Sequence, residues 1–281
     1  MTGRFEEQLQ LMQTDHVEFY LLHALNAERW HNLRDAGVLE WAHERIREGR
    51  IGSLGFSFHD TNAVFRGIVD AYQDWTFCQI QYNFLDEETQ AGTDGLHYAA
   101  SRKLGIVVME PLRGGKLAVP NAEISAIWNT ASTKRSATEW ALDWVWNHPE
   151  VSLLLSGMTT LEQVQQNLGS AGRSEVGMLA PGDLDLIARA RDAYNALVRV
   201  PCTACNYCIP CPNGVNIPGM FRLVNEGSMF GNQDMQRKRY GHMRDEGSSA
   251  DNCIRCGLCE EKCPQHISIR EQLASVAEQL G

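Results

Sequence analysis

Short apolar segments alternate with amphipathic segments along the chain before residue 200. The apolar segments have the length of buried strands, whereas the others repeat apolar residues every three or four positions, as one face of a helix does. Strands are predicted at 17–22, 51–56, 77–82, 106–109 and 151–155. Because each predicted strand is followed by at least one predicted helix, the pattern indicates parallel βαβ units and an α/β fold.

Helical periodicity fills the segments before, between and after these strands. The predicted helices cover residues 5–13, 37–48, 63–72, 92–103, 136–147, 161–168 and 183–198.

The character of the chain changes beyond Pro201, where Cys, Pro and Gly are frequent and no strand-like run of useful length remains. Helices are predicted there at 219–226 and 233–243. We therefore predict two domains, 1–198 and 199–281.

The composition is that of a folded, acidic protein. Its 281 residues are 43% hydrophobic, which is enough for one large domain or two smaller ones. Lys and Arg number 25 against 35 Asp and Glu, a net charge of −10, so no basic surface is available for nucleic acid. No apolar run approaches the roughly 18 residues of a membrane span, and residues 1–15 lack the features of a secretory signal. These features predict a cytoplasmic protein without nucleic-acid or membrane partners.

Eight of the nine cysteines lie after residue 200. The other, Cys78, is predicted to be a small core residue. In a reducing compartment, clustered thiols indicate metal ligands before disulfides. The eight form two groups, Cys202, Cys205, Cys208 and Cys211, and Cys253, Cys256, Cys259 and Cys263.

The second group reads C-x2-C-x2-C-x3-C-P and resembles the bacterial ferredoxin motif, in which the fourth cysteine ligates the other cluster. The first group has only two residues before Cys211, which departs from that motif. The resemblance implies two 4Fe-4S clusters with exchanged ligands, one on Cys202, Cys205, Cys208 and Cys263 and the other on Cys253, Cys256, Cys259 and Cys211. A pair of structural zinc sites is the alternative. The predicted helices between the groups resemble those of the α-helical ferredoxin modules that are attached to larger oxidoreductases.

The first domain resembles the aldo/keto reductase family, and with the cysteine motifs its ferredoxin-linked branch. The run TDHVEFYLLHA resembles that family's fourth barrel strand, which ends in a catalytic histidine. Later strands of the barrel are matched in order by EGRIGSLGFSFHD, FCQIQYN, VVMEPLRGG and VSLLLSGMTTLEQVQQN. The resemblance implies a (β/α)8 TIM-type barrel that uses NAD(P)H to reduce a small carbonyl substrate or oxidise an alcohol.

The resemblance also assigns roles to individual residues. His23 is expected to be a buried imidazole that donates a hydrogen bond to the substrate oxygen, and a core histidine is the alternative. Ser57 and Gln79 are expected to hold the nicotinamide carboxamide, whereas His59 or Phe58 fills a position that is Asn in many relatives. The other implied cofactor contacts are Pro111, Leu112, Gly114 and Gly115 around the pyrophosphate and Asn167 at the adenine.

The preference between NAD and NADP depends on cationic side chains that contact the 2′-phosphate of NADP. Where relatives that prefer NADP carry Lys and Arg, this chain has Gly157 and Gln163, which argues against a strong NADP preference. Arg113 and Arg173 are the candidates to replace the missing cations.

Five strands are fewer than the eight of a full barrel, and they match strands 4 to 8 of the family. The Asp, Tyr and Lys of the catalytic tetrad then have no counterpart in this chain. We therefore expect either a portion of a longer protein or a degenerate barrel. Two functions follow: an oxidoreductase whose clusters exchange electrons with a flavoprotein or ferredoxin, or a non-catalytic electron-transfer or redox-sensing protein.

Overall fold

The computed structural model describes all 281 residues, and it contains five β-strands. The strands are β1 (Val17–Leu25), β2 (Ile51–Phe58), β3 (Phe77–Gln81), β4 (Gly105–Met109) and β5 (Val151–Leu154).

Nine α-helices precede residue 200. They are α1 (Thr2–Met12), α2 (Ala27–Asp35), α3 (Val38–Arg47), α4 (Asn62–Ala71), α5 (Gly92–Ser101), α6 (Ala122–Asn129), α7 (Ala137–Trp146), α8 (Leu161–Arg173) and α9 (Pro181–Ala196).

The five strands form one parallel sheet in the order β1-β2-β3-β4-β5, as the alternating pattern predicts. Each strand pairs in parallel with the next strand along the chain. Every connection therefore runs back to the side of the sheet where the strands begin. The carboxyl ends of all five strands consequently lie along one edge of the sheet, where loops of α/β proteins carry functional groups.

One face of the sheet is largely buried against helices. The aromatic rings of Phe56 and Phe58 contact the ring of Phe65 in α4, at centroid distances of 5.9 and 5.1 Å. Cys78 lies on this face without solvent exposure, which confirms that it is a core residue. Burial raises the pKa of its thiol to about 12, so Cys78 is chemically inert at neutral pH.

The opposite face of the sheet is partly open to solvent. The strand register places Ser57, Gln79 and Val107 side by side on this face. Leu153 continues the row, and its side chain is 53% exposed. Phe19 of β1 is 71% exposed although its ring contacts Phe77 at 5.6 Å. Parallel sheets normally bury both faces, so apolar side chains that remain exposed here are unusual.

Two helices of this region were not predicted from the sequence, α2 and α6. Both begin at an asparagine whose side chain accepts the capping hydrogen bond, Asn26 from Arg29 N and Asn121 from Ile124 N. These caps, rather than a marked apolar stripe, define where the two helices start.

The region after residue 200 contains helices and loops but no strand, as predicted. Its α-helices are α10 (Ile217–Phe230), α11 (Gln233–Asp245), the single turn α12 (Leu258–Glu261) and α13 (Ile269–Leu280). Helices α10, α11 and α13 share one apolar core, which includes Phe221, Tyr240 and Leu273. The cysteine-bearing loops pack at the margin of this core.

The chain divides into two compact units. The first, here called the sheet unit, comprises Met1–Ala118 and Thr133–Ile187, and the second, here called the cysteine unit, comprises Val119–Ser132 and Ala188–Gly281. None of the helices combines the length and the apolarity that crossing a membrane requires.

Candidate functional site

Three predicted site residues lie on neighbouring strands of the sheet unit. His23 is near the end of β1, Ser57 near the end of β2, and Gln79 in the middle of β3, directly beside Ser57 in the strand register. The Ser57 hydroxyl oxygen accepts a hydrogen bond of 2.7 Å from the backbone N–H of Ala24. This contact ties β1 to β2 and leaves the Ser57 hydroxyl hydrogen free to donate.

The environment of His23 differs from the expectation. Its imidazole is exposed, so the expected buried imidazole and the core-histidine alternative are both wrong. The reason is the open face of the sheet, on which nothing covers the ring. The next residue, Ala24, adopts a left-handed backbone conformation at φ 54°, and this turn accompanies the register shift between β1 and β2.

The side chain of Gln79 is held by a weak hydrogen bond. Its amide nitrogen donates to the Met109 sulfur of β4 at 3.2 Å, and the side chain is half-buried. Since a thioether is a weak acceptor, this contact can be exchanged for a stronger one when a carbonyl ligand arrives.

The loop after β4 carries the predicted pyrophosphate contacts. Pro111 is buried, Leu112 is half-buried, and the two glycines are exposed. Gly114 and Gly115 have φ values of 63° and 82°, a backbone conformation that favours glycine.

A buried polar network that the sequence did not reveal anchors this loop. Asp86 accepts hydrogen bonds from the side-chain amides of Gln81 and Asn83, each at 3.1 Å. Arg113 of the loop approaches the same carboxylate at 3.2 Å. Asn83 also donates to the backbone carbonyl of Glu110 at 3.1 Å. The network connects the end of β3 to the glycine loop after β4.

Asn167 lies in α8, where its amide donates to the Ser156 hydroxyl at 3.0 Å. The same helix begins with a capping box in which Gln163 accepts from the backbone N–H of Thr159 and Thr160. Gln163 thus has a structural role at the start of α8, whereas Gly157 stands in open space. The signal for this cap was present in the sequence as T-x-x-Q.

The two arginines considered as replacement cations are both engaged. Arg113 is paired with Asp86, as described above. Arg173 contacts Glu139 at 2.8 Å and the buried Asp143 at 3.6 Å. Burial raises the pKa of Asp143 above its ordinary value, against the opposing influence of its arginine neighbours.

The tyrosines of the sheet unit each have a packing or hydrogen-bond partner other than His23. Tyr20 is packed by its ring, and the other three use their hydroxyl groups. The partners are Phe5 and Trp41 for Tyr20, His43 for Tyr72, Thr93 for Tyr82 and Asp70 for Tyr98.

The cysteine unit contains two cavities that thiols surround. The first, cavity A, is lined by Cys202, Cys205, Cys208 and Cys263. Its remaining lining is uncharged and includes Ile217 and Phe221. The fourth cysteine therefore comes from the other end of the module, about sixty residues along the chain from the first three.

The second, cavity B, is lined by Cys211, Cys253, Cys256 and Cys259. Cys208 lines it as well, so this thiol lies between the two cavities. Unlike cavity A, cavity B has three cationic side chains in its lining, Arg255, Lys262 and Arg270.

Backbone geometry between the cysteines fits an anionic cluster. Ala204, Asn206, Arg255 and Gly257 all have left-handed φ values, at alternate positions within each motif. Such alternation turns successive N–H groups to one side and creates the nests that hold iron-sulfur clusters.

Zinc and iron-sulfur clusters require different arrangements of thiols. No group of three or more His, Cys, Asp or Glu side chains is placed to hold a metal ion. Zinc draws all four ligands onto one ion, whereas each thiolate of a 4Fe-4S cluster binds its own iron and stands further from the others. Burial raises the pKa of the Cys208 thiol to about 11.

Comparison with known families gives two matches. The aldo/keto reductase family matches residues 1–175, more than half of the chain. A 4Fe-4S dicluster domain matches residues 201–267. No curated protein matches the sequence significantly.

Solved structures share the fold of the sheet unit. The holo form of aldo-keto reductase AKR11C1 from Bacillus halodurans has a TM-score of 0.54 at 19% identity, over 67% of this chain and 65% of that one. Its apo form gives 0.53 at 18% identity, over 67% of each chain. The thermostable aldo-keto reductase Tm1743 with the inhibitor epalrestat gives 0.52 at 19% identity, over 66% of this chain and 64% of that one. The chain thus spans about two thirds of the length of these structures.

Proposed function

Since the chain belongs to the aldo/keto reductase family and carries a 4Fe-4S dicluster domain, we propose that it serves nicotinamide-dependent carbonyl and alcohol redox chemistry accompanied by electron transfer through two 4Fe-4S clusters. The strongest support is the grouping of the eight clustered cysteines around two separate cavities in the same chain as the polar strand edge. Small carbonyl compounds or alcohols are the proposed substrates.

The proposed cluster ligands follow the two cavities. Cys202, Cys205, Cys208 and Cys263 hold one cluster, and Cys211, Cys253, Cys256 and Cys259 hold the other. When bound, the clusters supply one-electron transfer, whereas NAD(P)H supplies a hydride. Because a hydride carries two electrons, a flavoprotein or ferredoxin is the proposed intermediary.

The proposed nicotinamide site is the edge formed by Ser57 and Gln79. The free hydroxyl hydrogen of Ser57 donates to the carboxamide oxygen, and Gln79 exchanges its contact with Met109 for the carboxamide. His23 donates a hydrogen bond to the substrate carbonyl oxygen. Its exposure leaves room for a substrate at the open face of the sheet.

The remaining contacts extend the site along the same edge. Pro111, Leu112, Gly114 and Gly115 provide the proposed pyrophosphate loop, which the Asp86 network holds in place. Asn167 is the proposed adenine contact and would exchange its present bond to Ser156.

We also propose that the five strands correspond to strands 4 to 8 of a (β/α)8 barrel. The support is the open face of the sheet, because the equivalent side chains fill the interior of a closed barrel. Exposed Phe19 and Leu153 are apolar residues of the kind that pack there.

A non-catalytic electron-transfer or redox-sensing protein is the second candidate. The contacts of the tyrosines favour it, because Tyr72, Tyr82 and Tyr98 already use their hydroxyl groups elsewhere. On this proposal none of these three hydroxyl groups serves as the proton donor for His23, and the cysteine unit carries the activity through its clusters.

Replacing Gln79 by methionine is expected to weaken NADPH binding roughly tenfold, because one amide hydrogen bond of about 1.4 kcal/mol is lost while the side-chain volume is kept. Fluorescence titration measures the dissociation constant. Gln165→Met on the exposed side of α8 is the control and should bind as the wild type does. Equal affinity in Gln79→Met and the control would exclude Gln79 from the nicotinamide site.

NADPH is expected to bind no more than about tenfold more tightly than NADH, because Arg113 and Arg173 are engaged and a charge-assisted contact is worth about 1.5–3 kcal/mol. Gln163→Arg should raise that ratio, at a cost of about 1 kcal/mol because the Gln163 side-chain half of the capping box is lost while the Thr160 cap remains. Gln165→Arg adds the same charge to the same helix as a control. The two dissociation constants are compared by titration, and a wild-type preference above a hundredfold would contradict the prediction.

A further inference from the structure

The two cavities of the cysteine unit differ in charge. Cavity A has no charged residue in its lining, whereas cavity B has three cations and no carboxylate. The difference is local, because residues 199–281 contain nine Lys and Arg and nine Asp and Glu. The net charge of −10 therefore belongs to residues 1–198.

Two of the three cations at cavity B are unpaired. Arg270 binds Glu260 through two nitrogens, at 2.8 and 2.7 Å, and is neutralised. Arg255 and Lys262 form no ion pair with a carboxylate and both side chains are exposed, while the charge of Arg255 helps to lower the pKa of nearby Glu260. Their positive charge is consequently available to a molecule that approaches cavity B.

Apolar side chains accompany these cations. Ile254 is 68% exposed and Leu258 is 46% exposed, and both line cavity B. They flank Cys256 in the sequence, a proposed cluster ligand that is itself exposed. A small apolar centre with a charged rim is typical of surfaces that bind proteins transiently.

We propose that Ile254, Arg255, Cys256, Leu258 and Lys262 form a docking surface for a small acidic one-electron carrier protein. The cluster of cavity B exchanges electrons with this carrier. The inference rests on the proposed function, because it requires that both clusters assemble. One electron leaves the reduced carrier and enters the cluster, so the carrier is oxidised and the cluster reduced, and no atom is transferred.

Charge explains why the carrier is acidic and why cavity B is the point of exchange. Two unpaired cations attract an acidic surface over about 10 Å at moderate salt, which raises the rate of encounter. They also stabilise the additional negative charge of a reduced cluster, so they favour the electron at cavity B over cavity A. Exposure of Cys256 keeps the distance between the two redox centres short.

The test measures electron transfer to the anaerobically purified holoprotein by stopped-flow absorbance. The probe is a reduced acidic 2Fe-2S ferredoxin of the plant type. Arg255→Gln combined with Lys262→Gln is expected to lower the second-order rate constant roughly tenfold at low salt. Arg222→Gln combined with Lys238→Gln is the matched control, because both residues are exposed cations of the same unit outside the two cavity linings. The control should keep the wild-type rate.

Iron and sulfide content is measured first in every protein. A wild type without clusters would overturn the proposed function, whereas loaded clusters with equal rates in the two double variants would overturn only the docking surface. Two further results do not depend on the charge variants. The wild-type rate should fall as salt is added, and Ile254→Asn should slow transfer even at high salt. A rate that is unaffected by salt would contradict the proposal.

Discussion

Replacing Cys263 by alanine is expected to remove the cluster of the first cysteine motif, although Cys263 belongs to the second. The reason is that Cys263 lines cavity A together with Cys202, Cys205 and Cys208. Iron and sulfide should fall from about eight of each per chain to about four. The spectrum of the remaining reduced cluster, measured by electron paramagnetic resonance, should match that of Cys205→Ala.

Two further sets of variants test whether the loss is specific to one cluster. Cys211→Ala should give the reciprocal loss and resemble Cys256→Ala, because both residues line cavity B. Cys78→Ala removes a thiol from the sheet core and should leave the iron content unchanged. If the spectrum of Cys263→Ala instead matched that of Cys256→Ala, each motif would hold its own cluster and the exchanged ligands would be wrong. Stoichiometric zinc without sulfide would exclude clusters altogether.

The 281-residue chain is expected to bind NADPH without reducing a small aldehyde above the rate of the protein-free reaction. His23 donates a hydrogen bond to the carbonyl oxygen, but transfer of a hydride also requires a proton donor. Such a donor typically contributes 10²–10⁴-fold to the rate, and the tyrosine hydroxyls of Tyr72, Tyr82 and Tyr98 are occupied elsewhere. The loss of NADPH absorbance in the presence of the aldehyde measures the rate.

This prediction also separates the two candidate functions. Turnover that disappears in His23→Ala and persists in His59→Ala would show that the chain supplies its own proton donor. The carbonyl chemistry would then be complete within these residues. Cofactor binding without turnover, together with electron transfer through the clusters, would favour the non-catalytic candidate for this chain.

The proposed function combines two-electron chemistry at a nicotinamide with one-electron chemistry at the clusters. A cluster accepts single electrons, whereas a nicotinamide delivers a pair as hydride. The docking surface proposed at cavity B would supply a place where an external carrier meets a cluster. Electron transfer through this surface does not require the nicotinamide to react directly with a cluster.

Local pattern was sufficient for several features of the fold. Each strand was predicted from a short apolar run, which is a local feature of the sequence. The parallel sheet followed from the predicted helices between the strands. Cys78 was predicted as a core residue because an isolated cysteine is more often a small core residue than a metal ligand. The helices α2 and α6 were missed because a single capping asparagine, and not a periodic stripe, marks each start.

By itself, the sequence determined the α/β sheet, the resemblance to aldo/keto reductases and the presence of two cysteine motifs, because spacing along the chain carries this information. Only the tertiary structure decided that His23 is exposed and that Arg113 and Arg173 are paired, whereas the grouping of Cys263 with the first motif was already implied by the resemblance to ferredoxins. Each of these features depends on a group from a distant part of the chain. Strand register and helix packing bring such groups together, and neither is encoded in the local order of apolar and polar residues.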